Sequence, residues 1–458
     1  VLPFLNLSRD EEGDYFSDGL AEELLNVLSK IPALRVAART SAFSFKGKQT
    51  TVSEIGQILN VASVLEGSIR RAGSRVRISV QLVKVEDGYH LWSETYDRTM
   101  DDIFAVQDDI ARSVVEEIRI RLLGETADSL SRQIERDVAR AVRGRADDPE
   151  AQRLMMLGRY FLDRTTREDT DKAIDYFKQA LETDPEYAVC WAELGRAYAV
   201  GAGRGWLPPD EGFKLARDAA DRSLSLEPDL AEGHAQLGRI KAVYEWDLHG
   251  AEASYKRALE LAPSNSSVLD GASVLVYKLG RLDEAVDLSR RSLAQDPLAT
   301  GIWHNLGLAC HAAGMLDESE KAFRRALEIA PQRIVSEALL SLVIMDAGRT
   351  AAAISEAERE PDEFWRTWAQ AIIFNAAGDA EKSNQSLRMV LENFAEGNAF
   401  QIAEIYSMRG RLDEAFEWLG RAIEARDPGV THIKVNPRFR PMQADGRWPQ
   451  IVATAGLS

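Results

Sequence analysis

The chain has 458 residues, 45% of them hydrophobic and 28% charged, with a formal net charge of −17 and a pI of about 5.0. This length predicts two or more domains, and the acidic balance argues against a surface that binds nucleic acid nonspecifically. Two cysteines, Cys190 and Cys310, offer no disulfide framework, and no apolar run of about 18 residues offers a membrane span.

Val1–Phe4 reads as the tail of a strand already under way, so the natural protein is expected to continue upstream; no signal peptide is visible. Leu20, Leu24, Leu28 and Ile31 then recur at helical spacing. Leu34–Ala37 reads as a short strand, and Ile55, Ile58 and Leu59 mark a second helix. Val64–Ile69 opens a run of strands. In Arg75–Val83 the apolar Val76, Ile78, Val80 and Leu82 alternate with polar residues, which is the period of a half-buried strand. Ala72-Gly73 and Asp87-Gly88 are hairpin turns on either side of it. Ile103, Val106, Ile110, Val114 and Ile118 form a closing amphipathic helix. The order β-α-β-α-β-β-β-α predicts a small domain over residues 1–123, a mixed sheet with helices and α+β in class.

Several stretches of this domain carry a resemblance. Val1-Leu2-Pro3-Phe4, Tyr15–Leu20, Ala38-Arg39-Thr40-Ser41, Phe45–Lys48, Leu65–Ser68, His90–Glu94 and Phe104–Asp108 resemble the TolB-like N-terminal domain over nearly all of residues 1–123. The resemblance implies a mixed sheet with helices on one face and no enzymatic activity of its own. It also implies a context. In bacterial proteins of this arrangement the domain precedes helical repeats and commonly follows an effector, which is a class III nucleotide cyclase, a winged-helix DNA-binding domain or a protein kinase. None of those effectors' motifs occurs in this chain.

Residues 124–150 read as a helical linker, with Arg132, Arg136 and Arg140 on one solvated face. Beyond it, Pro228, Pro263, Pro297 and Pro331 stand 35, 34 and 34 residues apart, the period of a helix–turn–helix repeat. Between the prolines the register repeats. Trp303 and Leu306 share a face of one helix, Gly314 fits the left-handed position that ends it, and Phe323 and Ala326 follow on the second helix before Pro331 stops it. On this reading Trp303 is buried between the two helices. Gly280–Ala285 and Gly410–Ala415 are near-identical inter-helix turns, with an Asp-Glu pair at the positive end of the next helix. This pattern resembles the tetratricopeptide repeat family over residues 151–428, in about eight units. The resemblance implies an all-α superhelix with a concave binding surface. Residues 429–458 read as its C-terminal cap.

No catalytic constellation emerges. Asp18 and Glu22-Glu23 read as acids at a helix start, favoured there by the helix dipole. Gly47–Thr50 lacks the upstream glycine of a phosphate loop. Gly201–Gly205 reads as a loop in an insertion between repeat helices. His304 and His311 stand two turns apart, too far for one metal ion. No cofactor and no metal site are therefore expected, and the chain is expected to turn over neither ATP nor GTP.

The expected ligand is instead a protein or peptide in the concave groove. Leu-Gly-Arg recurs at one repeat position, which would range Arg159, Arg196 and Arg239 as a ladder facing carboxylate or phosphate. The competing reading pairs these arginines with local Glu193 or Glu232. Farther along, His304, Leu308, His311, Leu342, Met345, Trp365 and Trp368 would make a more apolar stretch of groove, a composition that core packing explains equally. The functional expectation is a non-catalytic scaffold or sensor region of a bacterial signalling protein, cytoplasmic or on the periplasmic side of a membrane-tethered regulator. The alternatives are the regulatory part of a class III adenylate cyclase whose catalytic domain lies outside this chain, and the sensor part of a winged-helix regulator.

Overall fold

A computed structural model describes residues 1–8, 12–29, 31, 34–73, 75–99, 106, 109–117, 146, 148–164 and 166–457. Ile103, Ile118, Phe104-Ala105, Gln107-Asp108 and the arginines of the linker lie outside the described residues. The chain divides into two compact units. Val1–Ile240, Ala253–Leu269 and Ala294–Leu298 form the first, and Lys241–Glu252, Asp270–Leu293 and Ala299–Ser458 form the second.

The first unit opens with a four-stranded mixed sheet. Strand β1 (Leu5–Asn6) pairs parallel with β2 (Ser63–Ala72), which pairs antiparallel with β3 (Arg75–Lys84), itself antiparallel to β4 (His90–Thr99). The alternation in β3 does what its period demands. Val76, Ile78, Val80 and Leu82 are buried, while Arg75 and Arg77 are exposed. Helix α1 (Glu12–Ser29) lays Leu20, Leu24 and Leu28 on this face, and a helix at 109–117 adds Ile110, Val114 and Val115 to the same core. Two short helices, α2 (Arg39–Phe43) and α3 (Val52–Leu59), complete the domain. Helix α3 starts at a capping box, in which Thr51 accepts from the Glu54 N–H and Glu54 accepts in return. The strand expected at Leu34–Ala37 does not form. That segment is extended but joins no ladder; Ala38 N–H donates instead to Gln295 O at 2.7 Å, so a repeat helix takes the bond a sheet would have supplied.

Eight helix hairpins follow in sequence among the described residues: Pro149–Leu162 with Arg167–Thr183, Ala188–Gly203 with Pro209–Leu226, Ala231–Ile240 with Leu248–Leu261, Ser266–Lys278 with Leu282–Gln295, Thr300–Ala312 with Leu316–Ile329, Ser336–Asp346 with Thr350–Ala357, Glu363–Ala376 with Ala380–Asn393, and Ala399–Met408 with Leu412–Glu424. The small residue on each first helix has a steric purpose. A Cβ built on Gly307 would stand 2.8 Å from the Phe323 ring, and one on Gly158 would stand 2.4 Å from Phe177. The paired helix therefore drives an aromatic ring into the space that glycine leaves open. The turn between helices needs a left-handed residue, and Gly314 supplies it at φ +77°.

Two expectations about these helices are corrected. Trp303 is only half-buried; the apolar side chains enclosed in its hairpin are Ile302, Leu306 and Phe323, one residue out of phase with it. Gly201–Gly203 belong to the last turn of a helix rather than to a loop. In the second unit the chain ends in short turns, Pro428–His432, Pro437–Phe439, Arg440–Gln443 and Trp448–Thr454. Phe439 and Met442 are fully buried there, and Phe439 packs edge-on against Phe400 of the last hairpin.

Candidate functional site

The three arginines of the ladder differ in exposure and in partners. Arg159 is buried, and its guanidinium donates to Glu23 at 2.6 Å and to Glu193 at 3.0 Å. Arg196 is half-exposed and pairs with Glu193 at 2.7 Å and with Asp163 at 3.5 Å. Arg239 is exposed at the end of its helix. The first two arginines are thus spent on internal carboxylates. Burial alone would push the Glu193 carboxyl up, but Arg196 and Arg159 on either side pull it down to about 2.

The acids on α1 explain this arrangement. Asp18, Glu22 and Glu23 lie mid-helix and are buried, not gathered at the helix start. Glu22 accepts from Arg39 Nε at 2.8 Å, and Arg39 reaches Asp163 of the first hairpin at 2.7 Å. Asp18 pairs with Lys46 at 2.5 Å. Burial raises the Asp18 and Glu22 carboxyls against the pull of these cations. A second tie runs from α2. Ser41 donates through its N–H and its Oγ to Asp296 Oδ1, at 3.1 and 2.5 Å, and Asp296 is buried. These contacts fasten the sheet domain to helical repeats within one compact unit. Ionic side chains at this density serve a joint rather than a ligand surface.

In the second unit the residues expected to line a groove separate into core and cavity. His304 is buried, its Nδ1 3.0 Å from Ser336 Oγ and its ring edge-on to Phe323; burial lowers its pKa to about 3. Trp368 is fully buried, and half-buried Trp365 packs at right angles against it. Leu308 is half-buried. Cys190 and Cys310 are buried free thiols. His311 and Met345, by contrast, meet at a cavity of about 350 Å³. Leu316, Leu342 and Met408 add apolar wall, and Asp346, Arg438 and Arg440 add charge. His311 Nε2 lies 2.7 Å from Asp346 Oδ2, and burial lowers its pKa.

Arg438 is the residue the sequence did not single out, because the segment around it read as a plain cap. Its position is built locally. Asn436 accepts the Arg438 N–H at 3.0 Å and opens the turn Pro437–Phe439, and Ser407 Oγ donates to the Arg438 carbonyl at 2.7 Å. Glu404, buried on Ala399–Met408, the first helix of the last hairpin, accepts from Arg438 Nε at 2.9 Å and from Asn436 Nδ2 at 2.5 Å. The guanidinium lies 5.3 Å from the Trp368 ring. An Asn-Pro-Arg run facing a Glu on a repeat helix is the signal that could have found it.

A larger cavity of about 720 Å³ lies in the sheet domain, against β1–β3 and the Phe45–Thr50 segment, with Lys46, Glu66 and Gln81 among its polar lining. Among the described residues no group of three or more His, Cys, Asp or Glu side chains is placed to hold a metal ion. No described helix is long and apolar enough to cross a membrane.

Comparison with known proteins agrees with the helical architecture. Residues 242–300 and 272–334 match one tetratricopeptide repeat model, and residues 166–187 match another. A protein named "Putative adenylate cyclase 3" from Rhizobium meliloti (strain 1021) is 38% identical over 242 residues, which cover 52% of this chain and 39% of that protein. The protein CTR9 homolog of Arabidopsis thaliana is 31% identical over 121 residues, 26% of this chain and 10% of that one. The chain thus spans well under half the length of either relative. Among solved structures, pilF of Pseudomonas aeruginosa aligns at 16% identity and a TM-score of 0.38, over 46% of this chain and 92% of that chain.

Proposed function

We propose that this chain is a protein- or peptide-binding region of a bacterial signalling protein, with no catalytic activity of its own, in which a TolB-like domain is fastened to the first tetratricopeptide repeats. One observation carries the reading: eight consecutive helix hairpins among the described residues, of which residues 242–334 match a tetratricopeptide repeat model, an architecture whose exposed helix faces serve as binding surfaces. The buried ion pair of Arg159 and the partly exposed one of Arg39 support a transmitting role for the joint, since they couple α1 and α2 to the repeats. A change in the repeats would be felt directly by the sheet domain.

The 38% identity to a protein named as an adenylate cyclase favours one further reading, that the effector is a class III cyclase domain outside this chain. On that reading the chain is cytoplasmic and regulates the cyclase. Two measurements test the proposal. The purified chain should form no cyclic nucleotide from ATP or GTP. Cross-linking of the whole signalling protein in its host should place partner contacts on residues 149–424. Contacts confined to residues 1–117, or cyclase activity from the chain alone, sink it.

A further inference from the structure

Arg438 is held more firmly than a cap residue needs, and part of its guanidinium is left unused. The side chain is 9% exposed; Nε is bonded to Glu404, while Nη1 is buried with no hydrogen-bond partner. A buried donor left unmet is costly, and a guanidinium carries its donors in a planar fork that matches a carboxylate. Glu404 below and Trp368 alongside fix the orientation of this fork in advance. Arg440 brings a second cation to the same cavity, anchored through Nη2 to the Ala312 carbonyl at 3.1 Å. Asp346 is the one acid among the lining residues, and His311 Nε2 already engages it. The rest of the wall is apolar.

We propose that this cavity binds a carboxylate carried on an apolar body, with Arg438 and Arg440 taking the acid and Leu316, Leu342, Met345 and Met408 taking the body. A volume of about 350 Å³ suits a small aromatic or branched acid. A phosphate fits less well, because its stronger hydration is poorly replaced by one free guanidinium edge and a wall of leucine and methionine. The site takes in His311, Leu342 and Met345 of the expected groove stretch, so this inference rests on the binding proposal above.

The unaltered chain tests this directly. Selective ¹³C labelling of the methionine methyls gives signals from eight residues, of which Met345 and Met408 line the cavity. Single leucine variants assign those two. Titration with 4-phenylbutyrate should move both signals saturably and leave Met155 and Met156 in place. The neutral isostere 4-phenylbutyramide should bind at least about tenfold more weakly, the loss expected for a charge-assisted pair. Arg440→Gln should weaken the acid and not the amide; Arg438 itself is left unchanged because Glu404 depends on it. The blocked peptide acetyl-Leu-Glu-Leu-amide and its Gln counterpart distinguish the source. Tighter binding of the Glu peptide than of phenylbutyrate assigns the acid to a partner's side chain, and the reverse assigns it to a free small molecule. Equal binding of acid and amide, or two unmoved methyls, overturns the proposal.

Discussion

Arg159 shows how one side chain can be misread as a ligand contact when it is a structural tie. The Leu-Gly-Arg motif places it correctly beside the second hairpin, but α1 of the preceding domain covers it and supplies Glu23. Removing the guanidinium takes a buried cation from Glu23 and leaves Glu193 with Arg196. Arg159→Met should therefore destabilise the first unit by about 3–5 kcal/mol in urea unfolding. Arg196→Gln, whose side chain is 38% exposed, should cost far less, because solvent screens its pair. Equal costs at the two positions would show that the ion pairs of Arg159 do not hold the joint. His304 supplies a pH dependence. Burial lowers its pKa from 6.5 to about 3, so the folded state favours the neutral ring. Stability from this group is complete above the unfolded value and is lost as pH falls toward the folded one. Between pH 7 and pH 5 the loss should approach about 2 kcal/mol. His304→Gln keeps a polar partner for Ser336 without titrating, so its unfolding midpoint should vary less over that range. Parallel pH profiles for the two proteins would remove His304 as the cause.

At the scale of the element, the repeat depends on a glycine facing a ring. Gly307→Ala sets a Cβ 2.8 Å from Phe323, and Phe323 is fully enclosed, with nowhere to retreat. The substitution should cost about 1–3 kcal/mol by overpacking, even though alanine is the better helix former. A stabilised Gly307→Ala variant, measured by thermal unfolding, would mean that the helices separate easily. This contact also explains what was legible in the sequence. Glycine, ring and left-handed turn recur with the repeat, so the hairpins and their register can be read from spacing alone. The alternation of β3 is equally local. The spacing rule turns Trp303 inward, but Ile302 and Leu306 fill the buried face and leave Trp303 half-buried. The false strand at Leu34–Ala37 had the right composition, but its bond goes to Gln295, far along the chain. Glu404 and Arg438 stand one repeat period apart, 34 residues, but Arg438 lies in the segment after the last hairpin, where the repeat pattern has ended.

At the scale of the whole molecule, the sheet domain does not stand as a separate compact unit; it belongs with the first hairpins and with Ala294–Leu298. The reason lies in particular contacts. Glu22 and Glu23 face Arg39 and Arg159, Arg39 reaches Asp163, and Ser41 holds Asp296. Stability in a repeat array is transmitted chiefly between neighbours, so loss of the domain should be felt in sequence order along the repeats. A chain beginning at residue 149 removes every one of these partners. In it Arg159 keeps only Glu193, and the apolar face that α1 covered meets water; Met156, whose side chain lies against Gly19, is exposed first. Hydrogen exchange in Pro149–Leu162 and Ala188–Gly203 should accelerate by one to two orders of magnitude, about 1.4–2.8 kcal/mol of local stability. Exchange in Ser336–Asp346 and Ala399–Met408, which belong to the second unit, should stay as in the full chain. If the first two hairpins of the shortened chain exchange as slowly as those of the full chain, the buried ion pairs contribute nothing to the joint, and a signal could not pass from repeats to sheet domain through them.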